Sequence, residues 1–381
     1  MKYRILGRTG IEVSEIGLGC EHLEKKEYTV VKAAIDEALA HDINIFDVFM
    51  SEPQVRTDIG KALAGRRDKA IIQGHIGAIW KDGQYARSRN LKEVKEAFED
   101  LLTRLDTDYI DIGMIHFVDT EEDYKGVFEG DTIKYALELK EKGIIKSIGL
   151  SSHVPVIAKK CIETGLIDVL MFSTNPAFDV LPGDMIIDDI FSEEKIKGAM
   201  QHKLDPDRMA LYHACEQHGT AITVMKAYMA GRLLDAAKSP FGKALSTTQC
   251  IHFSLTRPAV ASVLVGCITP NDMQQAVAYE VADDKQRDFS EIFSGQGAFG
   301  AAGQCVYCNH CLPCPAHIDI AAVNRYLDLA TVADVVPGTV MEHYNGMKAT
   351  ASDCIACGEC EKRCPFGVDV RRKMKEAINL F

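Results

Sequence analysis

Of the thirteen cysteines in this 381-residue chain, eight follow Gly303, and no other feature limits what the chain can fold into so tightly. They form two runs, each closing on a Cys-Pro pair: Cys305, Cys308, Cys311 and Cys314-Pro315, then Cys354, Cys357, Cys360 and Cys364-Pro365. The other five, Cys20, Cys161, Cys215, Cys250 and Cys267, stand alone. Clustered thiols in a reducing compartment point to metal rather than to disulfides. The second run reads C-x2-C-x2-C-x3-C-P. At that spacing three thiolates take three corners of a [4Fe–4S] cubane, and the fourth, held by the proline turn, ligates a neighbouring cluster. Structural zinc instead uses two CxxC pairs or mixed Cys/His sets, and four cysteines per run exceed a redox dithiol.

Two [4Fe–4S] clusters are therefore expected, one on Cys305, Cys308, Cys311 and Cys364, the other on Cys354, Cys357, Cys360 and Cys314. The first run is one residue shorter, C-x2-C-x2-C-x2-C-P, so the crosswise place of Cys314 is the point to verify. His310 and His317 lie among these ligands, but the cysteine sets are complete without them. Helical patterns over 319–330 and 333–347 separate the runs. The C-terminal part, residues 286–381, is thus expected to be a small, mainly helical iron–sulfur domain.

Before it, short apolar runs alternate with amphipathic stretches. Strands are expected at 15–18, 44–47, 70–74, 110–116, 145–150, 169–172, 221–225 and 262–265, with helices at 28–40, 91–105, 131–142, 154–164 and 207–218. Eight strand–helix steps over residues 1–285 predict an α/β fold, a (β/α)8 TIM barrel. An open doubly wound sheet would carry a glycine-rich turn after its first strand, and Gly17-Leu-Gly-Cys-Glu-His22 is a poor match to one.

Barrel chemistry sits where strands end. Those positions hold Cys20, Glu21 and His22 after strand one, Asp47 and Glu52 at strand two, His75 at strand three and His116 at strand four. Ser151, Ser152 and His153 follow strand five, Asn175 strand six and Lys226 strand seven. Several imidazoles and carboxylates on one rim point to a reaction centre. Long connections at 75–90, with Trp80, Tyr85, Arg87 and Arg89, and at 175–205 are expected to shape it. Arg87, Arg89 and Lys226 suit an anionic substrate group. Cys20 is expected to be a buried structural thiol, and Met114, Met171 and Met225 core fillers.

Net charge is −12, from 43 basic and 55 acidic residues, which argues against a nucleic-acid or anionic-membrane surface. No apolar run nears the ~20 residues that span a bilayer, and the opening MKYRILGRTG has no apolar signal core, so a cytoplasmic protein is expected.

The opening MKYRILGRTGIEVSEIGLG resembles the first hairpin and strand of the aldo-keto reductase superfamily. The resemblance continues through Asn44-Ile-Phe-Asp47, Ile59-Gly-Lys-Ala-Leu63, RLDTDYIDIGMIH ending at His116, GIIKSIGLS ending at Ser151, and Val263-Leu-Val-Gly266. It covers about the first 280 residues, and the appended cysteine runs resemble the subgroup with a C-terminal two-cluster ferredoxin-like module. The resemblance implies reduction or oxidation of a small carbonyl or hydroxyl substrate. It also implies an Asp, Tyr, Lys and His tetrad, in which Tyr protonates the carbonyl oxygen while NADPH delivers hydride.

Only half of that tetrad transfers, as Asp47 and His116. Glu52 stands where the family has Tyr, and His75 where it has Lys. The nicotinamide-holding Ser-Asn corresponds to Ser151 and Ser152, with Asn175 nearby. The strand-six Gln is Met171, the stacking aromatic falls near Lys226, and Gly266-Cys-Ile-Thr-Pro-Asn271 brings no cation for a 2′-phosphate. NAD(P)H is thus an open expectation.

Three readings follow. In the first, Glu52, with its pKa raised beside Asp47, or His75 and His116, deliver protons while the clusters carry single electrons. In the second, His75, His116 and Asp47 or Glu52, with His22 or His153, hold a divalent metal. In the third, the barrel merely presents an electron-transfer module to a partner protein.

Overall fold

The N-terminal hairpin pairs β1 (Tyr3–Ile5) with β2 (Glu12–Ser14). The computed structural model describes residues 1–183, 185, 195, 205–292, 303–331 and 335–381. Chain order then gives β3 (Ile16–Gly19), β4 (Ile45–Val48), β5 (Ile71–Ile76), β6 (Ala78–Lys81), β7 (Gln84–Arg87), β8 (Ile110–Ile115), β9 (Ile145–Ser152), β10 (Val169–Ser173), β11 (Ala221–Met225) and β12 (Val260–Gly266). Eight of these strands, all but the β1–β2 and β6–β7 hairpins, close into a parallel barrel in the order β3-β4-β5-β8-β9-β10-β11-β12. Closure is made by β12 returning to β3, with Val263 beside Ile16 and Val265 beside Leu18. The expected (β/α)8 architecture is the one observed.

Branched residues buried on both faces explain why these runs form parallel strands. Inside, Ile45, Ile112, Met114, Met171, Met225 and Leu264 share one core with Leu6 and Val13 of the hairpin. Unbranched methionines fill this irregular space; Gly149 makes room, since a Cβ there would lie 2.1 Å from the Met114 sulfur. Arg8 donates to the carbonyls of Gly165 and Ile167 just ahead of β10, so the hairpin covers the N-terminal end of the barrel. That leaves the strands' C-terminal ends for chemistry.

Helices appear where the apolar period placed them. Leu91–Leu105 starts at Asn90, whose side chain accepts the amides of Lys92 and Glu93. Val94, Phe98, Leu101 and Leu105 are its buried stripe, and it stops at Asp106 with φ 52°. No described helix is long and apolar enough to cross a membrane.

By packing, the chain divides into two units: residues 1–174, 220–227 and 260–280, which hold the barrel, and residues 175–219, 228–259 and 281–381. In the second unit Phe178, Phe253 and Phe289 share a core with Ile318, Leu327 and Phe366. Asp179 is buried there, with Arg208 and Arg257 each 3.6 Å away and the Tyr212 hydroxyl donating to it at 2.9 Å. Arg257 also donates to the Val306 carbonyl, so the first cysteine run and residues 228–259 of the same unit are built into one interior. Of the expected helices, Ile320–Ala330 and Gly338–Asn345 form; the remainder of the pattern over 333–347 begins outside the described residues. Most of the 175–205 connection also lies outside them.

Candidate active site and cysteine cavities

Neighbouring barrel strands place Asp47 beside Gln73 and His75 beside Met114, which carries both polar side chains to the same rim. His75 Nε2 lies 3.0 Å from Asp47 Oδ1, and Gln73 donates to the same oxygen at 3.0 Å. The other His75 nitrogen, Nδ1, is 2.7 Å from His116 Nδ1. Phe49 packs on this pair, stacked on His116 at 5.7 Å and edge-on to His75 at 5.9 Å. Burial, then the neighbouring His75 and the cations of Arg89 and Arg87, hold the His116 pKa well below the ordinary histidine range.

Three of the four expected catalytic residues, Asp47, His75 and His116, are thus brought into one hydrogen-bonded row. Glu52 is used differently: half-buried, it accepts the Val55 amide and caps the helix Pro53–Leu63. A negative side chain at a helix start answers the unpaired amides there, and this local role explains its carboxylate without catalysis.

A second row was not foreseen as a set. Asp119 accepts from the Ser152 hydroxyl, from the His153 amide at 2.7 Å and from His153 Nδ1 at 2.8 Å. His153 Nε2 meets Lys226 Nζ at 3.0 Å. Against a burial that would raise it, the His153 contact draws the Asp119 pKa down. Burial lowers Lys226 and His153. Sequence reading named His153 and Lys226 but passed over Asp119, which stands in the loop after β8 with no motif of its own.

Backbone strain marks the same rim: Phe117, two residues past the end of β8, has φ 55°, and Lys226, directly after β11, has φ 60°. Such values in bulky residues persist only where the surroundings impose them, and they gather at functional sites. Arg89 donates to the carbonyls of His116 and Phe117 and fixes that bend.

The remaining cofactor-binding candidates are occupied locally. Ser151 accepts the Phe117 amide, and Ser152 serves Asp119. Asn175, in the other unit, accepts the amides of Ala177 and Phe178. Gly266 leaves space for His22, whose Cδ2 would be 2.2 Å from a Cβ. In the turn after β12 the amides of Ile268 and Thr269 go to Asp272, whose negative charge repels a phosphate. This turn does not fit a 2′-phosphate.

As for a divalent metal at the rim, both nitrogens of His75 are engaged in this arrangement, Nε2 with Asp47 and Nδ1 with His116. Cys20 is a buried thiol whose pKa burial raises, consistent with a structural role.

In the second unit two cavities open among the cysteine runs. One is lined by Cys354, Cys357, Cys360 and Cys314, with Ile318, Ile355 and Arg371. The other is lined by Cys305, Cys308, Cys311 and Cys364, with Val306, Phe366 and Val368. Apolar surroundings push the Cys305 thiol up to about 11 and Cys308 to about 12. Sulfurs so placed become thiolates beside a strong cation, and four to a cavity is the donor set of a cubane. The residues therefore fit two iron–sulfur clusters, and when bound such clusters supply one-electron transfer. His310 sits at the edge, paired with Asp288.

Residues 15–180 match the Aldo/keto reductase family, and residues 304–369 match the 4Fe-4S dicluster domain. The uncharacterized oxidoreductase YqkF of Bacillus subtilis is 29% identical over 283 residues, 70% of this chain and 87% of that protein. L-galactose dehydrogenase of Arabidopsis thaliana is 25% identical over 292 residues, 73% of this chain and 88% of its own. The solved structure of aldo-keto reductase AKR11C1 from Bacillus halodurans, in its holo form, is similar with a TM-score of 0.59. It is 24% identical and covers 77% of this chain and 95% of that one, a likeness of fold.

Proposed function

Since the chain carries an aldo/keto reductase domain followed by a 4Fe-4S dicluster domain, we propose that it is an iron–sulfur oxidoreductase for a small carbonyl or hydroxyl compound. In this reading the substrate reacts at the barrel rim within residues 1–285, and electrons pass singly through two [4Fe–4S] clusters within residues 286–381. Reduction of a carbonyl takes two electrons and two protons, so the barrel must manage protons in step with the clusters. The observation that carries the reading is the buried row of Asp47, His75 and His116, which can move a proton without solvent.

His75 and His116 are the proton carriers, and Asp47 is the charge that orients them. In this reading Lys226, beside His153 and Asp119, is the cation that meets a substrate carboxylate or phosphate. We keep Cys305, Cys308, Cys311 and Cys364 as the ligands of one cluster and Cys354, Cys357, Cys360 and Cys314 as those of the other. The occupied serines and the acidic turn at Asp272 favour an electron-carrier protein over NADPH as the outside redox partner.

The test compares carbonyl and alcohol turnover by the holoprotein with that of a Cys305→Ser, Cys354→Ser protein in which both clusters are disrupted. The barrel's fold is checked by circular dichroism. Loss of turnover in the variant is expected. Equal turnover contradicts the reading.

A further inference from the structure

The row of buried imidazoles does not end at His116. On β7, Tyr85 extends its hydroxyl to 2.5 Å from His116 Nε2. Tyr85 as a residue is 39% exposed, so one end of the row lies at the surface while Asp47, the other end, is buried.

Hydrogen-bond polarity along the row is set by its buried end. Asp47 Oδ1 already accepts from the Gln73 amide, so it accepts from His75 and the His75 proton sits on Nε2. His75 Nδ1 is then an acceptor, and the proton between the two rings belongs to His116 Nδ1. That leaves His116 Nε2 as an acceptor, and Tyr85 must donate. The neutral state of His116 demanded here agrees with its depressed pKa. Each link therefore points inward, from Tyr85 through His116 and His75 to Asp47.

Supports for this end of the row are local. Tyr85 lies on a two-stranded hairpin turned by Asp82 and Gly83 at φ 53° and 75°, and it pairs across the strands with Trp80. Phe49 meets the Tyr85 ring edge-on at 6.0 Å as well as covering both imidazoles. Arg87, two residues on and on the same face, stacks its guanidinium 3.8 Å over Phe117.

Resting on the oxidoreductase reading above, we infer that Tyr85 is the residue that exchanges a proton with the substrate oxygen, and that the β6–β7 hairpin is part of the active site. In the oxidative direction the substrate O–H bond breaks and its proton forms a new O–H bond on Tyr85. The proton Tyr85 held passes to His116 Nε2, the His116 Nδ1 proton passes to His75 Nδ1, and the His75 Nε2 proton passes to Asp47. The substrate is left as the alkoxide and Asp47 as the neutral acid, so net charge is conserved and no electron moves in this step. The reverse shift protonates the oxygen of a carbonyl as it is reduced. The substrate class is accordingly an alcohol or its carbonyl partner, with the reacting oxygen on Tyr85.

The experiment uses full-length holoprotein under anaerobic conditions, with short aldehydes, 2-oxo acids and their alcohols as substrates and methyl viologen as the one-electron mediator. Tyr85→Phe removes the exchangeable proton while keeping the ring, and amide hydrogen exchange over residues 78–87 reports whether the hairpin still folds. Expected is a loss of about 100-fold or more in kcat for Tyr85→Phe, the scale of a lost general acid. Cluster absorbance and exchange over 78–87 should be unchanged, and substrate Kd within about threefold. Tyr85→Phe turning over within threefold of wild type would overturn the inference, as would a loss accompanied by faster exchange across the hairpin, which would make the residue merely structural. A wild-type protein inert towards every alcohol and carbonyl, while its clusters still cycle with viologen, would instead overturn the oxidoreductase reading on which this one stands.

Discussion

Buried histidine is the residue on which this site turns, because an imidazole kept from water is neutral only while the pH stays above its own pKa. His116 and His153 are both held below the ordinary value, each chiefly by burial. Below about pH 6.5 the unfolded chain takes up protons that the folded chain refuses, so stability rises with pH in that window and falls on acidification. Asp119 acts at lower pH: its depressed carboxylate stabilises the fold above the usual Asp range and loses that effect as pH falls through the folded value. Thermal melts from pH 7.5 to 5 should show a Tm that drops more steeply in wild type than in a His116→Asn, His153→Asn protein. Parallel curves would contradict these assignments. That Asp47, His75 and His116 would share one rim was legible in sequence, since each stands at or just after the end of a predictable strand, and they do meet there. For Glu52 the sequence carried a second signal, a carboxylate directly before Pro53 at a helix start, and the capping bond from the Val55 amide is what the structure shows of it.

Elements explain what else was missed. The eight barrel strands were readable because branched apolar runs announce themselves, and the helices because Val94, Phe98, Leu101 and Leu105 keep a helical period. The β6–β7 hairpin was absorbed into a long connection, although Trp80-Lys-Asp-Gly-Gln-Tyr85 carries the Asp-Gly pair that a tight hairpin favours. Only pairing in three dimensions brings Tyr85 to His116, thirty-one residues away. Gly83 has φ 75° with no neighbouring atom within 4 Å, so a side chain there strains the backbone without a clash. Gly83→Val should weaken the hairpin by about 1 kcal/mol or more. Hydrogen exchange should then be roughly fivefold faster at 78–87, with the barrel strands unchanged. Exchange unchanged in the hairpin would show that Tyr85 does not depend on this turn.

Across the whole molecule the question is how two chemistries share one chain. The cavities pair Cys314 with the second cysteine run and Cys364 with the first. Cys314→Ser and Cys354→Ser should therefore disturb the same electron paramagnetic resonance signal, and Cys364→Ser and Cys305→Ser the other, from a protein holding about eight irons per chain. Loss of one common signal by Cys305→Ser and Cys314→Ser would reverse that pairing. The ferredoxin-like spacing led to the expectation of a crosswise arrangement, and the cavity linings agree with it. What spacing did not reveal is that residues 206–219 and 228–259 share an interior with the first run, because Asp179, Arg208 and Arg257 look like ordinary surface charges until they are seen buried together.

The central claim, that barrel chemistry and clusters exchange electrons, is tested most directly in a single turnover. Holoprotein reduced by dithionite and freed of excess reductant is mixed anaerobically with small aldehydes and 2-oxo acids while its visible cluster band is followed. The account predicts that the band returns as alcohol forms, about one alcohol per two electrons, and that His116→Asn slows the return. A band that stays bleached with every carbonyl, yet returns at once with ferricyanide, would contradict it.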